Sequence, residues 1–256
     1  MFPQNRTGSS YSRPRGSFRR ARRPQIEWSH PASPSVRRGE GVRYGSLQLT
    51  PNNHRDIPVS SAPSNNVNGK LKITVLGGNE EVGKNMTLIE YEEDILLIDM
   101  GIQFAEVGML GVDGCVPDLS YLHGKEHRVR GILITHMHTD HIGGIPYLLP
   151  KVPNVPIFSA PLTLAMIAKK LEYTPEIKAD LRAVDESSVL RLGSFTIRFV
   201  GVSHSVPAAM GIIIETPIGK IMHTGDFKLD LHPTSEEEKR IHQALVELGQ
   251  QNILAL

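Results

Sequence analysis

Four side chains able to bind a metal fall within six positions at His136-Met137-His138-Thr139-Asp140-His141. No other stretch of the chain limits its fold so sharply. The stretch follows the apolar residues Ile132, Leu133 and Ile134 and precedes Gly143 and Gly144. A short apolar run of this kind reads as a buried strand, so the ligands leave a strand end. In a loop leaving a strand, alternate side chains can converge on one point while their neighbours turn toward a second point close by. H-x-H-x-D-H is therefore a two-centre pattern: His136 and His138 suit one metal, Asp140 and His141 the next. Gly143 and Gly144 are expected to let the backbone pack tightly behind the loop, with a helix starting near Ile142.

Two metals need more ligands, and a sheet delivers them at its other strand ends. His204 ends the run "FVGVSHSVP" and Asp226 ends "IMHTGDFK". A carboxylate has two oxygens and can bridge two cations, which makes Asp226 the natural shared ligand. His223 alternates with Asp226 and competes for that role, but reads better as a packed residue behind the ligands. Asp99 ends "ILLID" and, as a buried carboxylate, would orient the ligand loop by hydrogen bonding. His30, His54, His123, His127 and His242 stand alone and read as ordinary surface or core histidines. With Cys115 as the single cysteine, an internal disulfide and a thiolate-rich zinc site are both excluded. Any metal must be held by imidazole and carboxylate.

The net charge of +1 conceals a division. Residues 1–70 carry twelve Lys/Arg against Glu27, Glu40 and Asp56, a charge of +9; residues 71–256 carry −8. The first segment is rich in Arg, Ser, Pro, Gly and Asn, and its scattered apolar residues follow no period. It reads as a disordered tail, because it cannot bury enough apolar surface to offset its ordering entropy. Three roles stay open for it: contact with phosphates, with Tyr11, Phe18 or Trp28 stacking on bases; simple solubilisation; or an organelle transit peptide, since residues 1–26 contain no acid. No apolar run approaches the ~18 residues of a membrane helix.

From Leu71 onward, short apolar runs alternate with turn residues. "LKITVLGG", the two halves of "MTLIEYEEDILLIDMG", "RVRGILIT", "SFTIRFVGVS" and the two halves of "AMGIIIETPIGKIMHTGD" read as strands. "IGGIPYLLP" and "PLTLAMIAKKLE" read as helices. Ser235 and Glu238 form a capping box for a helix over about Glu236 to Leu248, closed by Gly249. A layered α/β architecture follows. "GNEEVGKN", residues 78–85, imitates a phosphate-binding loop, but Asn85 stands where a Ser/Thr hydroxyl is required, two glutamates would face the phosphates, and a strand follows where a helix should.

With these residues in place, the body resembles the metallo-β-lactamase superfamily, whose motifs run in the order strand-end Asp, H-x-H-x-D-H, lone His, lone Asp. Asp99, "HMHTDH", His204 and Asp226 occur in that order. More narrowly, it is similar to the ribonuclease J family of the β-CASP nuclease branch through "GGNEEVGKNMTLIEY", "IDMGIQFAEVGMLGVDGCVPDLSYL", "GILITHMHTDHIGGIPYLL", "SHSVP" and "HTGDFKLD". The resemblance implies an αββα sandwich, with His136, His138 and His204 on one Zn2+, Asp140 and His141 on a second, and Asp226 bridging. It also implies a shared hydroxide attacking an RNA phosphodiester, with Asp140 orienting it and accepting its proton. The activity expected is 5′-to-3′ exonucleolytic and also endonucleolytic, in RNA processing and decay. The expected compartment is the cytoplasm, or an organelle if the tail is a transit peptide. Homo-oligomers or degradosome-type partners are expected of the complete protein.

Two departures are visible. Ala208 and Ala209 replace the Asp-Ser that usually follows "HS-x-P". The family's β-CASP domain, C-terminal region and one further histidine for the second zinc have no counterpart, and "NILAL" reads as the start of a buried strand. Residues 71–256 are thus expected to be the N-terminal part of a longer protein, weak or inactive alone. Two other readings remain: hydrolysis of a small thioester or lactam on the same fold, and a non-catalytic RNA-binding fragment.

Overall fold

The computed structural model describes residues 69–256. Before them it describes only the backbone of three short strands, β1 (Ile26–Ser29), β2 (Leu49–Thr50) and β3 (Ile57–Val59). The expected basic tail otherwise lies outside the described residues, as do His30 and His54.

The body begins with β4 (Leu71–Gly77), β5 (Met86–Tyr91) and β6 (Asp94–Ile98), an antiparallel meander whose second turn places Glu92 at φ 53°. A two-stranded ribbon, β7 (Gln103–Phe104) with β8 (Gly114–Cys115), leads to β9 (Val129–Leu133), which pairs in parallel with β6. The short helices α1 (Thr139–Ile142) and α2 (Ile145–Leu148) follow, then β10 (Ile157–Ser159), α3 (Pro161–Leu171) and β11 (Leu181–Ala183). The first sheet runs β1-β4-β5-β6-β9-β10-β11-β2. The second is built from β12 (Val189–Leu192), β13 (Phe195–Gly201), β14 (Met210–Thr216), β15 (Gly219–His223) and β16 (Ile253–Ala255), in the order β16-β15-β14-β13-β12-β3. Helix α4 (Glu236–Gly249) precedes β16.

Apolar side chains partition into three seams, and these define the layers. Leu76, Leu88, Leu97, Ile132 and Ile157 point from the first sheet toward Ile145, Leu164 and Ile167 of its helices. Ile73, Ile89, Leu96, Ile98, Leu133 and Phe158 point the other way, against Leu192, Ile197, Phe199, Ile212 and Ile214 of the second sheet. Val200, Ile213 and Met222 on the far face of the second sheet meet Leu248 of α4. The result is the expected αββα sandwich. Strand β6 is buried along its whole length because its odd and even residues belong to different seams. That explains an apolar run without alternation. Each fully buried Leu or Ile contributes about 1.5–3 kcal/mol of transfer free energy.

The capping box at α4 is present, with Ser235 Oγ accepting from the Glu238 amide and the Glu238 carboxylate accepting from the Ser235 amide. Three expectations are corrected. Helix α1 starts at Thr139 rather than near Ile142, so Asp140 and His141 occupy a helical first turn. Asp140 thereby gains a favourable position near the helix N-terminus. Gly249 is the last residue of α4, not a left-handed cap; Gln250 closes the helix at φ −81°. "NILAL" does contribute a strand, but β16 is half-buried at a sheet edge rather than buried. Among the described residues no helix is long and apolar enough to cross a membrane.

Candidate metal centre

The site is assembled from ends of both sheets. Parallel pairing of β6 with β9 brings Asp99, one residue past its strand, beside Thr135, two residues past the other. There the Asp99 amide donates to the Leu133 carbonyl and the Thr135 amide to Asp99 Oδ1. Asp99 adopts φ 61°, a left-handed conformation that Asp tolerates better than most side chains. This turns its carboxylate under the ligand loop. The loop is stitched back to the strand end by Met100 N–H to the His141 carbonyl (2.8 Å) and Gly144 N–H to the Met100 carbonyl (2.8 Å). A Cβ on Gly143 would stand 2.2 Å from Ile102 Cγ2, and one on Gly144 2.4 Å from the Gly101 carbonyl. The two glycines thus permit the tight packing expected of them.

From the second sheet, His204 follows β13 and Asp226 follows β15 across a turn at Gly225. His138 Nδ1 lies 2.9 Å from His136 Nε2 and 3.0 Å from His204 Nε2. Two imidazole nitrogens sharing a zinc at about 2.05 Å would be separated by about 2.9–3.4 Å, for angles between a right angle and the tetrahedral value. Nitrogen spacing therefore fits a common ion. Asp226 Oδ2 is 3.8 Å from His204 Nε2, while Asp226 Oδ1 is 3.4 Å from His141 Nε2. Two donor groups result, His136/His138/His204/Asp226 and Asp140/His141/Asp226, each with its atoms within 4.8 Å of one another. Asp226 belongs to both, one oxygen toward each. Imidazole and carboxylate donors of this kind suit zinc.

Electrostatics separate the ligands. Burial, with help from His141, lowers the pKa of His136 to about 4, so its ring is neutral at physiological pH. Burial also lowers His204, helped by His138 and opposed by Asp226. Burial would lower His141 too, but Asp99 outweighs it through charge and a 2.7 Å hydrogen bond from Nδ1, and the pKa rises. Reciprocally, burial would raise Asp99, yet the charge and hydrogen bond of His141 hold it below the usual carboxylate range. The carboxylate is 1% exposed and also accepts from the Thr135 hydroxyl at 2.9 Å. Asp99 thus hydrogen-bonds both Thr135 and His141 from a buried position. His223 stays behind the ligands: its Nδ1 accepts from the Gly225 amide at 3.1 Å and is in neither donor group.

The sequence model of the metallo-beta-lactamase superfamily matches residues 80–247. The chain belongs to that superfamily. It is 40% identical over 188 residues to ribonuclease J 1 of Streptococcus pyogenes serotype M3, covering 73% of this chain and 33% of the relative. Ribonuclease J2 of Bacillus subtilis is 39% identical over 187 residues with the same coverage. Ribonuclease J of Corynebacterium glutamicum is 42% identical over 172 residues, covering 67% of this chain and 23% of the relative. The chain thus spans a third or less of the length of these curated relatives. The crystal structure of a protein of unknown function from Enterococcus faecalis V583 superposes with a TM-score of 0.54 at 21% identity, covering 69% of this chain and 47% of that one. At that identity the likeness concerns the fold alone.

One residue of this superfamily site was passed over in the sequence. Asn85 appears there only as the wrong last letter of a phosphate-loop pattern. In the fold, its amide nitrogen Nδ2 donates to Asp140 Oδ2 at 3.0 Å and lies 3.1 Å from His141 Nε2. Its backbone N–H donates to the Asp140 carbonyl, and its carbonyl accepts from Gly101 N–H. The last residue of "GNEEVGKN" therefore braces the metal centre. An unexplained polar residue opening strand β5 was the available clue.

Proposed function

We propose that this superfamily member is a zinc-dependent ribonuclease that hydrolyses RNA phosphodiester bonds, acting from 5′ to 3′ and also internally, in RNA processing and decay. The observation that carries the reading is the pair of donor groups sharing Asp226, set beside about 40% identity to ribonucleases J over 73% of the chain. In this reading His136, His138 and His204 hold one zinc, Asp140 and His141 the other, and Asp226 joins them. Bound there, zinc supplies Lewis acidity, making water nucleophilic near neutral pH and offsetting charge on phosphoryl oxygens.

The chain's own residues do the rest. Asp99 fixes His141 with its Nε2 directed toward Asp226. Asn85 holds one oxygen of Asp140. The side chain of Asp140 is 32% exposed, so it can meet solvent and accept the proton released by the attacking water. Asp226, with 46% of its side chain exposed, lies on the same open side. Two carboxylates, Asp140 and Asp226, facing outward on a body of charge −8 would repel RNA unaided; cations held in both groups would reverse that local sign. The basic segment 1–70 adds phosphate attraction, and a cytoplasmic location accords with the substrate.

His136→Ala tests the reading in the complete protein. It should abolish RNA cleavage and lower zinc content from about two per chain, with the far-ultraviolet circular dichroism unchanged. Retained cleavage in that variant would overturn the metal mechanism, and a wild-type protein without bound zinc would overturn the enzyme reading.

A further inference from the structure

The geometry points to Thr135 as a positioning residue that relays the Asp99 carboxylate to His136 and so sets which ring nitrogen of His136 is free to bind a metal. Asp99 already fixes one ligand directly, through Nδ1 of His141. Its hydrogen bonds go to Thr135 and His141, not to His136, which belongs to the other donor group. The Thr135 hydroxyl lies between them. Its oxygen is 2.9 Å from Asp99 Oδ2, 3.1 Å from Asp99 Oδ1 and 3.0 Å from His136 Nδ1. All three residues are buried, Thr135 and His136 completely, so water cannot substitute for any of these contacts.

A hydroxyl has one hydrogen to donate, and an ionised carboxylate can only accept. Directed at Asp99, the hydrogen makes a charge-assisted bond and leaves an oxygen lone pair facing His136. His136 must then present Nδ1–H, which leaves the Nε2 electron pair facing His138 and His204. Directed instead at His136, the hydrogen leaves the hydroxyl lone pairs against a carboxylate about 3 Å away, in a site too buried to screen the repulsion. The first arrangement wins. One buried carboxylate thereby fixes two imidazoles, one in each donor group: His141 through a direct bond, His136 through a hydroxyl. The Thr135 side chain also packs against the turn that carries Asp226, since a Cβ on Gly225 would stand 3.0 Å from Thr135 Cβ.

Thr135→Val removes the hydroxyl and preserves the shape. An Nδ1–H would then face a methyl group, so the ring should move its proton to Nε2, where His138 Nδ1 can accept it and where it blocks coordination. This inference rests on the metal-site reading above, but neither of its readouts involves RNA cleavage. Long-range 1H–15N spectra of the full chain, metal-free and at neutral pH, should show His136 as the Nδ1–H tautomer, converting to Nε2–H in Thr135→Val. Competition with a chromophoric chelator should show zinc affinity about 10- to 100-fold weaker in Thr135→Val. Thr135→Ser, which keeps the hydroxyl, should restore both. An Nε2–H His136 in the wild type overturns the relay, and that reading stands even if Thr135→Val fails to fold. So does a Thr135→Val protein with unchanged tautomer or unchanged affinity, or a Thr135→Ser protein that behaves like Thr135→Val. A wild type with the Nδ1–H tautomer but no affinity for zinc would overturn the metal reading and leave the relay intact.

Discussion

Replacing Asp99 by Asn isolates the role of one negative charge. The two side chains have the same shape, and Asn accepts the left-handed backbone that Asp99 adopts at φ 61°, so neither packing nor conformation is disturbed. What changes is the pattern of donors and acceptors. The carboxylate accepts from Thr135 N–H at 2.8 Å, from the Thr135 hydroxyl at 2.9 Å and from His141 Nδ1 at 2.7 Å. An amide can keep its oxygen toward the Thr135 backbone, but its NH2 then faces His141 Nδ1, donor against donor. Losing a hydrogen bond between charged groups costs about 1.5–3 kcal/mol, and a buried site cannot recover it from water. We expect the metal-free variant to lose about 2–4 kcal/mol of stability at neutral pH by urea unfolding, with an unchanged m-value. Zinc affinity should fall about 10- to 100-fold in chelator competition, because the His141 proton shifts toward Nε2. A stability change under about 0.5 kcal/mol together with wild-type zinc affinity would refute the argument.

Three shorter predictions accompany it. Burial lowers the pKa of His136, His204 and His223, so the folded protein takes up fewer protons than the unfolded chain below about pH 6.5, and stability should drop as pH falls from 7 to 5. His141, raised overall by Asp99, opposes this, since its contribution is lost as pH rises through its folded value. With three groups against one, the melting temperature of chelator-treated protein should be lower at pH 5 than at pH 7; the reverse order would show that the Asp99–His141 pair dominates. Gly101→Ala places a Cβ 1.7 Å from the Asp140 carbonyl oxygen and 2.5 Å from the Asn85 backbone nitrogen, and should cost about 3 kcal/mol in urea unfolding along with zinc affinity. Ser235→Ala removes the capping box of α4, a helix that contributes no residue to either donor group, and should lower stability by about 1 kcal/mol while zinc affinity stays at the wild-type value.

The parts of the centre legible in the sequence are those whose geometry is local. H-x-H-x-D-H announces itself because all four side chains issue from one strand end and the helix turn after it. His204 and Asp226 are found by the weaker rule that a sheet delivers ligands where its strands stop. Asp99 follows from the same rule, but its left-handed backbone, which aims the carboxylate at both Thr135 and His141, has no local signature. Asn85 is invisible because its partners Asp140 and His141 lie more than fifty residues away and only the fold brings them together. Strands β10, β11 and β12 escape for another reason. At three or four residues each, they are too short for alternation or an apolar run to stand out, and they exist because neighbouring strands offer them ladders. The hairpin joining β12 to β13 turns on Gly193 at φ 59°, a cue that "LRLGSF" carried and that a reading by apolar runs alone discards.

The donor atoms straddle the seam between the two sheets: His136, His138, Asp140 and His141 come from the first, His204 and Asp226 from the second. Apolar side chains hold that seam together along its length, but they are non-directional and tolerate some sliding of one sheet over the other. Ligand geometry does not. A slip of an ångström that would scarcely alter the burial of Phe158 or Ile212 would pull the His204 nitrogen out of reach of an ion held by His136 and His138. With metal bound, the centre would act on the architecture as a clasp acts on the covers of a book, setting the register of two layers that grease alone would leave loose. Amide hydrogens at the ends of β9, β13 and β15 should report whether the clasp is shut, exchanging faster when the metal is stripped away while those at the far ends of the same strands keep their pace.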